Sequence, residues 1–250
     1  MQLKYLQFLS ISLVFLISIS VHFPFFNYPP HFVDIEIKNL NQIQNYFNHS
    51  DFNLNQPPLT NILYSIVVYF KYNSIFPIKN TYHFYSSLRI LPIIFSTLTL
   101  PINTIILILY EVPISISFLC GAILAFEPSW CALNRFFHPF NFSSFFSLLT
   151  ILVYKISESN IQNKSILIFL KQLESIFCSI SICSGNSGII TIFILAIQYR
   201  HKLYNQKEEQ SSKKHSFKSK LVKYLQLFKY HMIYSSILFT FSLLIHIYLI

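Results

Sequence analysis

The chain has 250 residues, 53% of them hydrophobic and only 11% charged, against about 25% charged in an average soluble domain. That excludes a disordered tail, a collagen-like chain and most soluble enzymes, and 3 Gly against 27 Phe speaks against a Gly-rich nucleotide-binding fold. The net charge of +9 matters less than where the basic residues lie, because the apolar residues come in runs long enough to face lipid.

Leu6 to Phe26 is the first such run, about 20 residues long and enough to span a bilayer. No small-residue cleavage site follows it, so it reads as a retained anchor and not a signal peptide. A polar stretch rich in Asn, Gln and His runs from Asn27 to Pro58. Leu59 to Phe70 is apolar but short for a span, and Lys71 and Lys79 follow closely. It is expected to be an interfacial or re-entrant helix.

Further spans are expected at Leu88–Tyr110, Pro113–Phe126 and Asn141–Tyr154. Ile166–Gln198 is interrupted by Lys171, Glu174 and the Ser-Gly-Asn-Ser-Gly run Ser184–Gly188, and it reads as two helices meeting at that turn. The last span is Leu225–Ile250. The expected fold is all-α, a polytopic integral membrane protein with about seven transmembrane helices in a single membrane domain.

Half of the 18 basic residues lie between Arg200 and Lys229. The positive-inside rule makes the 200–224 loop cytosolic. Counting back puts 27–87, Glu127–Phe140 and the Ser184–Gly188 turn on the opposite, lumenal side. The basic loop lacks the aromatic interleaving of an RNA-binding segment, so it reads as a membrane anchor and no nucleic-acid partner is expected.

Acids that could serve lumenal chemistry are few. Asp34, Glu36 and Asp51 lie in the first lumenal loop and Glu127 at the next lumenal edge. Glu111, Glu158, Glu208 and Glu209 fall on the cytosolic side, and Glu174 falls within a span. Asp34 and Glu36 share one side of an extended segment. One could accept a proton while the other tunes it or positions a substrate, or both could be solvated loop acids. Arg89 and Arg135 are two of three arginines, each at a predicted lumenal end of a span. A guanidinium fork suits phosphate, whether a substrate's or that of a lipid headgroup. His22, His231 and His246 show no metal-ligand spacing, and Cys120, Cys131, Cys178 and Cys183 sit in apolar stretches without a CxxC. No metal and no cofactor are expected. These features suit a lipid-phosphate-dependent transferase, and also a small membrane transporter. A transporter should show internal repeats and polar groups in mid-span. Glu174 is the one clear mid-span acid, and no repeat is seen.

Five segments, in order and at matching spacing, resemble the N-terminal membrane part of the dolichyl-phosphate-mannose protein O-mannosyltransferase family. His31-Phe-Val-Asp-Ile-Glu36 resembles its F-D-E segment, and Phe52-Asn-Leu-Asn-Gln-Pro-Pro-Leu59 its F-x-D-V-H-P-P-L segment. Tyr85-Ser-Ser-Leu-Arg-Ile-Leu-Pro-Ile-Ile-Phe-Ser96, followed by Leu100-Pro101, resembles Y-x-x-x-R-L-x-P-A-L-F-G with its later V-P. Phe126-Glu-Pro-Ser-Trp-Cys-Ala-Leu-Asn-Arg-Phe136 resembles the segment ending in S-R-(F/Y), and Ile245-His246 the F-x-x-H-F end of a span. Gln56 replaces the family His, Phe140 its Asp after S-R, and Gly185 its Lys in S-K-W-x-G.

The resemblance implies a glycosyltransferase of GT-C type in the endoplasmic reticulum membrane. It implies transfer of mannose from dolichyl phosphate mannose to Ser or Thr hydroxyls of secretory polypeptides, alongside a second family subunit. Asp34 and Glu36 would be catalytic, and Arg89 and Arg135 would bind the donor phosphate. Gapless counting from Pro57-Pro58 aligns Glu36 with the family Glu, whereas a one-residue insertion makes Asp34 the family Asp. The resemblance stops where the family continues into MIR repeats. A MIR domain is therefore expected to be absent, with the chain matching roughly the first third of a member. An impaired or truncated subunit is the alternative within the family.

Overall fold

The computed structural model describes residues 2–24, 36–41, 58–72, 82–128, 131, 136, 138–159, 162–185 and 188–198. Among them the fold is all-α. In chain order the helices are α1 (Gln2–His22), α2 (36–41), α3 (Pro58–Tyr72), α4 (Tyr82–Leu109) and α5 (Ile114–Phe126). They are followed by α6 (Pro139–Glu158), α7 (Lys164–Ser184) and α8 (Gly188–Gln198).

Four of these, α1, α4, α6 and α7, are long and apolar enough to cross a membrane, while α5 and α8 are shorter apolar helices. The expected last span and the 200–224 loop lie outside the described residues. The first helix starts and ends about four residues earlier than the apolar run suggests; Pro24 accounts for the end, because it disfavours helical backbone in the residue before it. The sixth helix outruns its expected Asn141–Tyr154 core at both ends. Pro139 opens it at a position where a missing N–H costs nothing. Lys155 and Glu158 pair in its last turn at 3.4 Å.

Among the described residues the bundle buries many polar side chains beside its apolar ones and leaves many large apolar side chains exposed. The buried residues of α7 are Glu174, Ser175, Cys178, Ser179, Ser181, Cys183 and Ser184, while Ile166, Ile168 and Phe169 are exposed. The third helix buries Thr60, Asn61, Tyr64 and Ser65 and exposes Ile66. In α4, Arg89, Ser96, Thr97 and Thr104 lie on the buried stripe, and Ile90, Ile94 and Leu98 on the exposed one. Water would penalise this arrangement; hydrocarbon favours it, because lipid tails give apolar side chains no reason to turn inward.

Hydroxyls hold the helices together. Ser143 Oγ of α6 donates to the Ser181 carbonyl of α7 at 2.9 Å, and Ser147 and Ser181 hydroxyls meet at 2.6 Å. Thr60 Oγ1 of α3 donates to the Ser184 carbonyl at 2.9 Å. The Ser184 carbonyl is one that the end of α7 leaves without a helical partner, whereas the Ser181 carbonyl also accepts from the Gly185 N–H at 3.2 Å. Pro101 deprives the Thr97 carbonyl of its usual i+4 donor, and Ser18 Oγ of α1 donates to that carbonyl at 3.1 Å. Gly121 lets α1, α4 and α5 close up. A Cβ there would lie 2.5 Å from Thr104 Oγ1 and 3.0 Å from Val14 Cγ1.

Contacts sort the helix ends into two groups. Lys155 lies 4.4 Å from the Tyr110 ring centroid, Gln198 Nε2 donates to the Tyr110 hydroxyl, and Lys171 lies 4.9 Å from the Tyr154 ring centroid. The C-terminal ends of α4, α6 and α8 and the N-terminal half of α7 therefore share one end. Arg89, Asn141 and Ser184 belong to the other.

Candidate functional site

Arg89 lies in the second turn of α4. The 20 residues from it to Leu109 rise about 30 Å, one hydrocarbon thickness. A charge there sits at the membrane edge with the C-terminal end of its helix at the other. Its neighbours Ile90 and Ile94 face outward, so the helical period carries Arg89 inward, where it is fully buried.

Its partner is Glu36, the first described residue of α2 and also fully buried. Arg89 Nε donates to Glu36 Oε1 at 2.8 Å and Nη2 donates to Oε2 at 2.5 Å. This is the parallel, two-bond geometry that a planar guanidinium offers and a lysine cannot. The pair ties the acidic segment after α1 to the start of α4.

Two aromatic groups flank it. The Phe136 ring centroid lies 5.6 Å from Arg89 Cζ, and the Phe136 carbonyl accepts from Asn141 Nδ2 at 2.9 Å. Tyr64 is 1% exposed and meets Phe142 edge-on with centroids 5.5 Å apart. Phe142 in turn packs on Phe95. Burial, and then the nearby Glu36 carboxylate, hold the Tyr64 hydroxyl well above the usual tyrosine range. Tyr64 therefore stays a neutral donor beside the pair. His138 caps α6, its Nδ1 accepting from the Phe140 N–H at 3.1 Å, and burial lowers its pKa.

The geometry limits what each group can do. Both Glu36 oxygens accept from Arg89, which fixes the carboxylate in place and leaves a second lone pair on each oxygen for another donor. The Nε/Nη2 edge of Arg89 is taken, so a phosphate must meet another edge of the guanidinium. Of the four residues singled out in the sequence, the structure brings Glu36 and Arg89 together, while Asp34 and Arg135 lie outside the described residues. Among the described residues no three His, Cys, Asp or Glu side chains gather as a metal site.

Tyr64, Phe136 and Asn141 were not singled out in the sequence. Tyr64 had a legible signal, since Thr60, Asn61, Tyr64 and Ser65 recur at helical spacing on one polar face. Phe136 was marked only as the aromatic after Arg135 in the S-R-(F/Y) resemblance, and Asn141 by nothing beyond its nearness to that segment. Glu174, the mid-span acid, is buried and bonded to Lys171 at 2.7 Å, at the end away from this site.

Comparison with known proteins gives a family match and a structural match. The family model of dolichyl-phosphate-mannose-protein mannosyltransferase matches residues 12–250. Among solved structures, the chain is similar to the S. cerevisiae protein O-mannosyltransferase Pmt1-Pmt2 complex bound to the sugar donor. The TM-score is 0.80 at 16% identity, over 97% of this chain and 34% of that one. The chain thus spans about a third of the length of that relative. No curated protein matches it in sequence.

Proposed function

The chain belongs to the dolichyl-phosphate-mannose-protein mannosyltransferase family, and from that premise we propose that it transfers mannose from dolichyl phosphate mannose to Ser or Thr hydroxyls of secretory polypeptides, at the lumenal edge of the endoplasmic reticulum membrane. The observation that carries this reading is the buried Glu36–Arg89 pair. It joins Glu36, two residues after Asp34 in the sequence, to a guanidinium whose chemistry suits a phosphate.

In this reading the acceptor oxygen attacks the anomeric carbon of mannose. The bond from that carbon to the phosphate oxygen breaks, and the acceptor proton passes to a carboxylate. Asp34 is the base, two residues before Glu36, whose own oxygens are held by Arg89. Glu36 orients the segment. Arg89, through an edge other than the one on Glu36, and Arg135 stabilise the charge that collects on the departing dolichyl phosphate. The 27–87 region then forms the lumenal face of the site and the 200–224 loop its cytosolic anchor.

A second reading has one specific observation behind it. At Gly185 the resemblance places a lysine, and here a Cβ would come 3.0 Å from Ser143 Cβ. The close approach of α6 and α7 has taken up the space a side chain would need. That favours a subunit with an incomplete phosphate site, working beside a complete second family subunit.

Transfer of labelled mannose from dolichyl phosphate mannose to an acceptor peptide, in microsomes with and without a second subunit, tests both readings. Transfer by the chain alone supports the first. Transfer that needs the partner and survives loss of Asp34 supports the second. No effect of the chain in either setting overturns both.

A further inference from the structure

We propose that the Phe136 ring is a water-excluding cover on the Arg89 guanidinium and that Asn141 is the positioning residue that holds it there. This deepens, and rests on, the donor-phosphate role given to Arg89 above.

Phe136 lies between α5 and α6, two residues before the residue that caps α6. His138 caps the helix, and one turn in, Asn141, 3% exposed, reaches back and donates Nδ2 to the Phe136 carbonyl at 2.9 Å. That bond is not part of the helical ladder, so its consequence is local: it sets where residue 136 lies. Residue 136 is the one whose ring meets Arg89, at 5.6 Å from Cζ. Glu36 engages the Nε/Nη2 edge, and the ring meets the guanidinium from the α5–α6 connection. Together with the surrounding helices they leave Arg89 with no exposure to solvent.

A guanidinium sealed in this way interacts more strongly with a phosphate than one in water, because the local dielectric is lower. The π face adds an attraction that an aliphatic cover lacks. The ligand chemistry is a phosphodiester entering at the membrane edge. The arrangement makes Phe136 a residue that changes donor affinity and Asn141 one that acts through it.

The test has a readout independent of catalysis. Phenylglyoxal modifies arginine, and peptide mapping reads Arg89 separately from Arg200, which lies in the hydrophilic 200–224 loop and serves as internal reference. Full-length protein in microsomes should show slow labelling of Arg89 in the wild type and in Phe136→Tyr, which keeps the ring. Labelling should be clearly faster in Phe136→Ala and in Asn141→Leu. In the transfer assay, Phe136→Leu and Asn141→Leu should raise the donor KM roughly 2- to 30-fold with kcat changed less, while Phe136→Tyr stays near the wild type.

Labelling that is the same in all variants overturns the cover. So does labelling that rises in Phe136→Tyr as much as in Phe136→Ala. An unchanged donor KM in Phe136→Leu overturns its role toward the donor. The expected labelling pattern in a chain that transfers no mannose in any setting leaves the cover standing and removes the proposed function. Robust transfer with labelling indifferent to residues 136 and 141 does the reverse.

Discussion

Glu36 and Arg89, 53 residues apart in the chain, meet through two parallel hydrogen bonds with no solvent on either side chain. A buried pair of this kind contributes little net stability against an apolar replacement, but breaking it from one side strands a charge. Arg89→Met should therefore destabilise the protein by about 3–5 kcal/mol. Glu36→Gln combined with Arg89→Met should recover much of that loss, since no charge is then left unpaired. Thermal unfolding in detergent or nanodiscs measures both. A double variant as unstable as Arg89→Met alone would show that the packing of the long side chain, and not its charge, matters.

The Ser18–Pro101 relation supplies a second prediction. Ser18 donates to the carbonyl that Pro101 deprives of its helical partner. Ser18→Ala should cost about 1 kcal/mol, in the range measured for hydrogen bonds between membrane helices. In a Pro101→Ala background the new backbone N–H can serve the Thr97 carbonyl, and Ser18→Ala should be nearly silent. Equal costs in the two backgrounds would show that Ser18 acts by packing alone.

How far these features can be read from sequence follows from their range. The course of α4 and the break between α7 and α8 are legible because both are local: an apolar run, and two glycines three residues apart. The inward turn of Arg89 is legible in part, since Ile90, Ile94 and Leu98 mark the opposite face. Its pairing with Glu36 is not, because a contact across 53 residues leaves no periodic trace. The Ser18–Thr97 bond could be suspected from Pro101, but nothing in the sequence says which helix supplies the donor. Phe136 and Asn141 are two aromatic and polar residues in a segment full of both.

His138 gives a pH prediction. Its Nδ1 accepts the Phe140 N–H, which requires a neutral ring, and burial lowers its pKa from 6.5. Between the folded and unfolded values the unfolded chain binds the extra proton, so stability falls as pH drops. The loss begins as pH falls below about 6.5 and is complete below the lowered folded value. His138→Asn keeps a capping oxygen that does not titrate in this range and should flatten that part of the profile. An unchanged slope in His138→Asn would assign the acid sensitivity to another group.

Topology is testable without activity. The helix ends fall into two groups, and basic residues assign the group holding Tyr110 and Gln198 to the cytosol. Residue 45 should then be lumenal and residue 212 cytosolic, with Asn48-His-Ser50 a glycosylation sequon on the lumenal side. In intact microsomes, a protease should cut a tag at residue 212 and spare one at residue 45. Cleavage of both would mean that the first polar loop faces the cytosol, away from any lumenal acceptor.

The carboxylates decide the mechanism. An inverting transfer needs a base against the acceptor hydroxyl, and such a base contributes about 10²–10⁴-fold. Asp51 lies beside Pro57-Pro58 and corresponds to no acid of the family segments. Glu127 stands at the end of α5, within reach in sequence of Arg135 and so suited to an ion pair. Glu36 is bound through both oxygens to Arg89, which suits it to anchor its segment. Asp34 lies two residues upstream in the sequence and is the proposed base. Asp34→Asn should therefore lower transfer by about 10²–10⁴-fold with donor binding largely kept. Glu36→Gln should retain more activity but lose stability, because an amide replaces a carboxylate opposite a buried guanidinium. Measured side by side in microsomes, the two variants separate base from anchor. An active Asp34→Asn beside a dead but stable Glu36→Gln would exchange the roles. Full activity in both would leave the pair as scaffold and place the base on another chain.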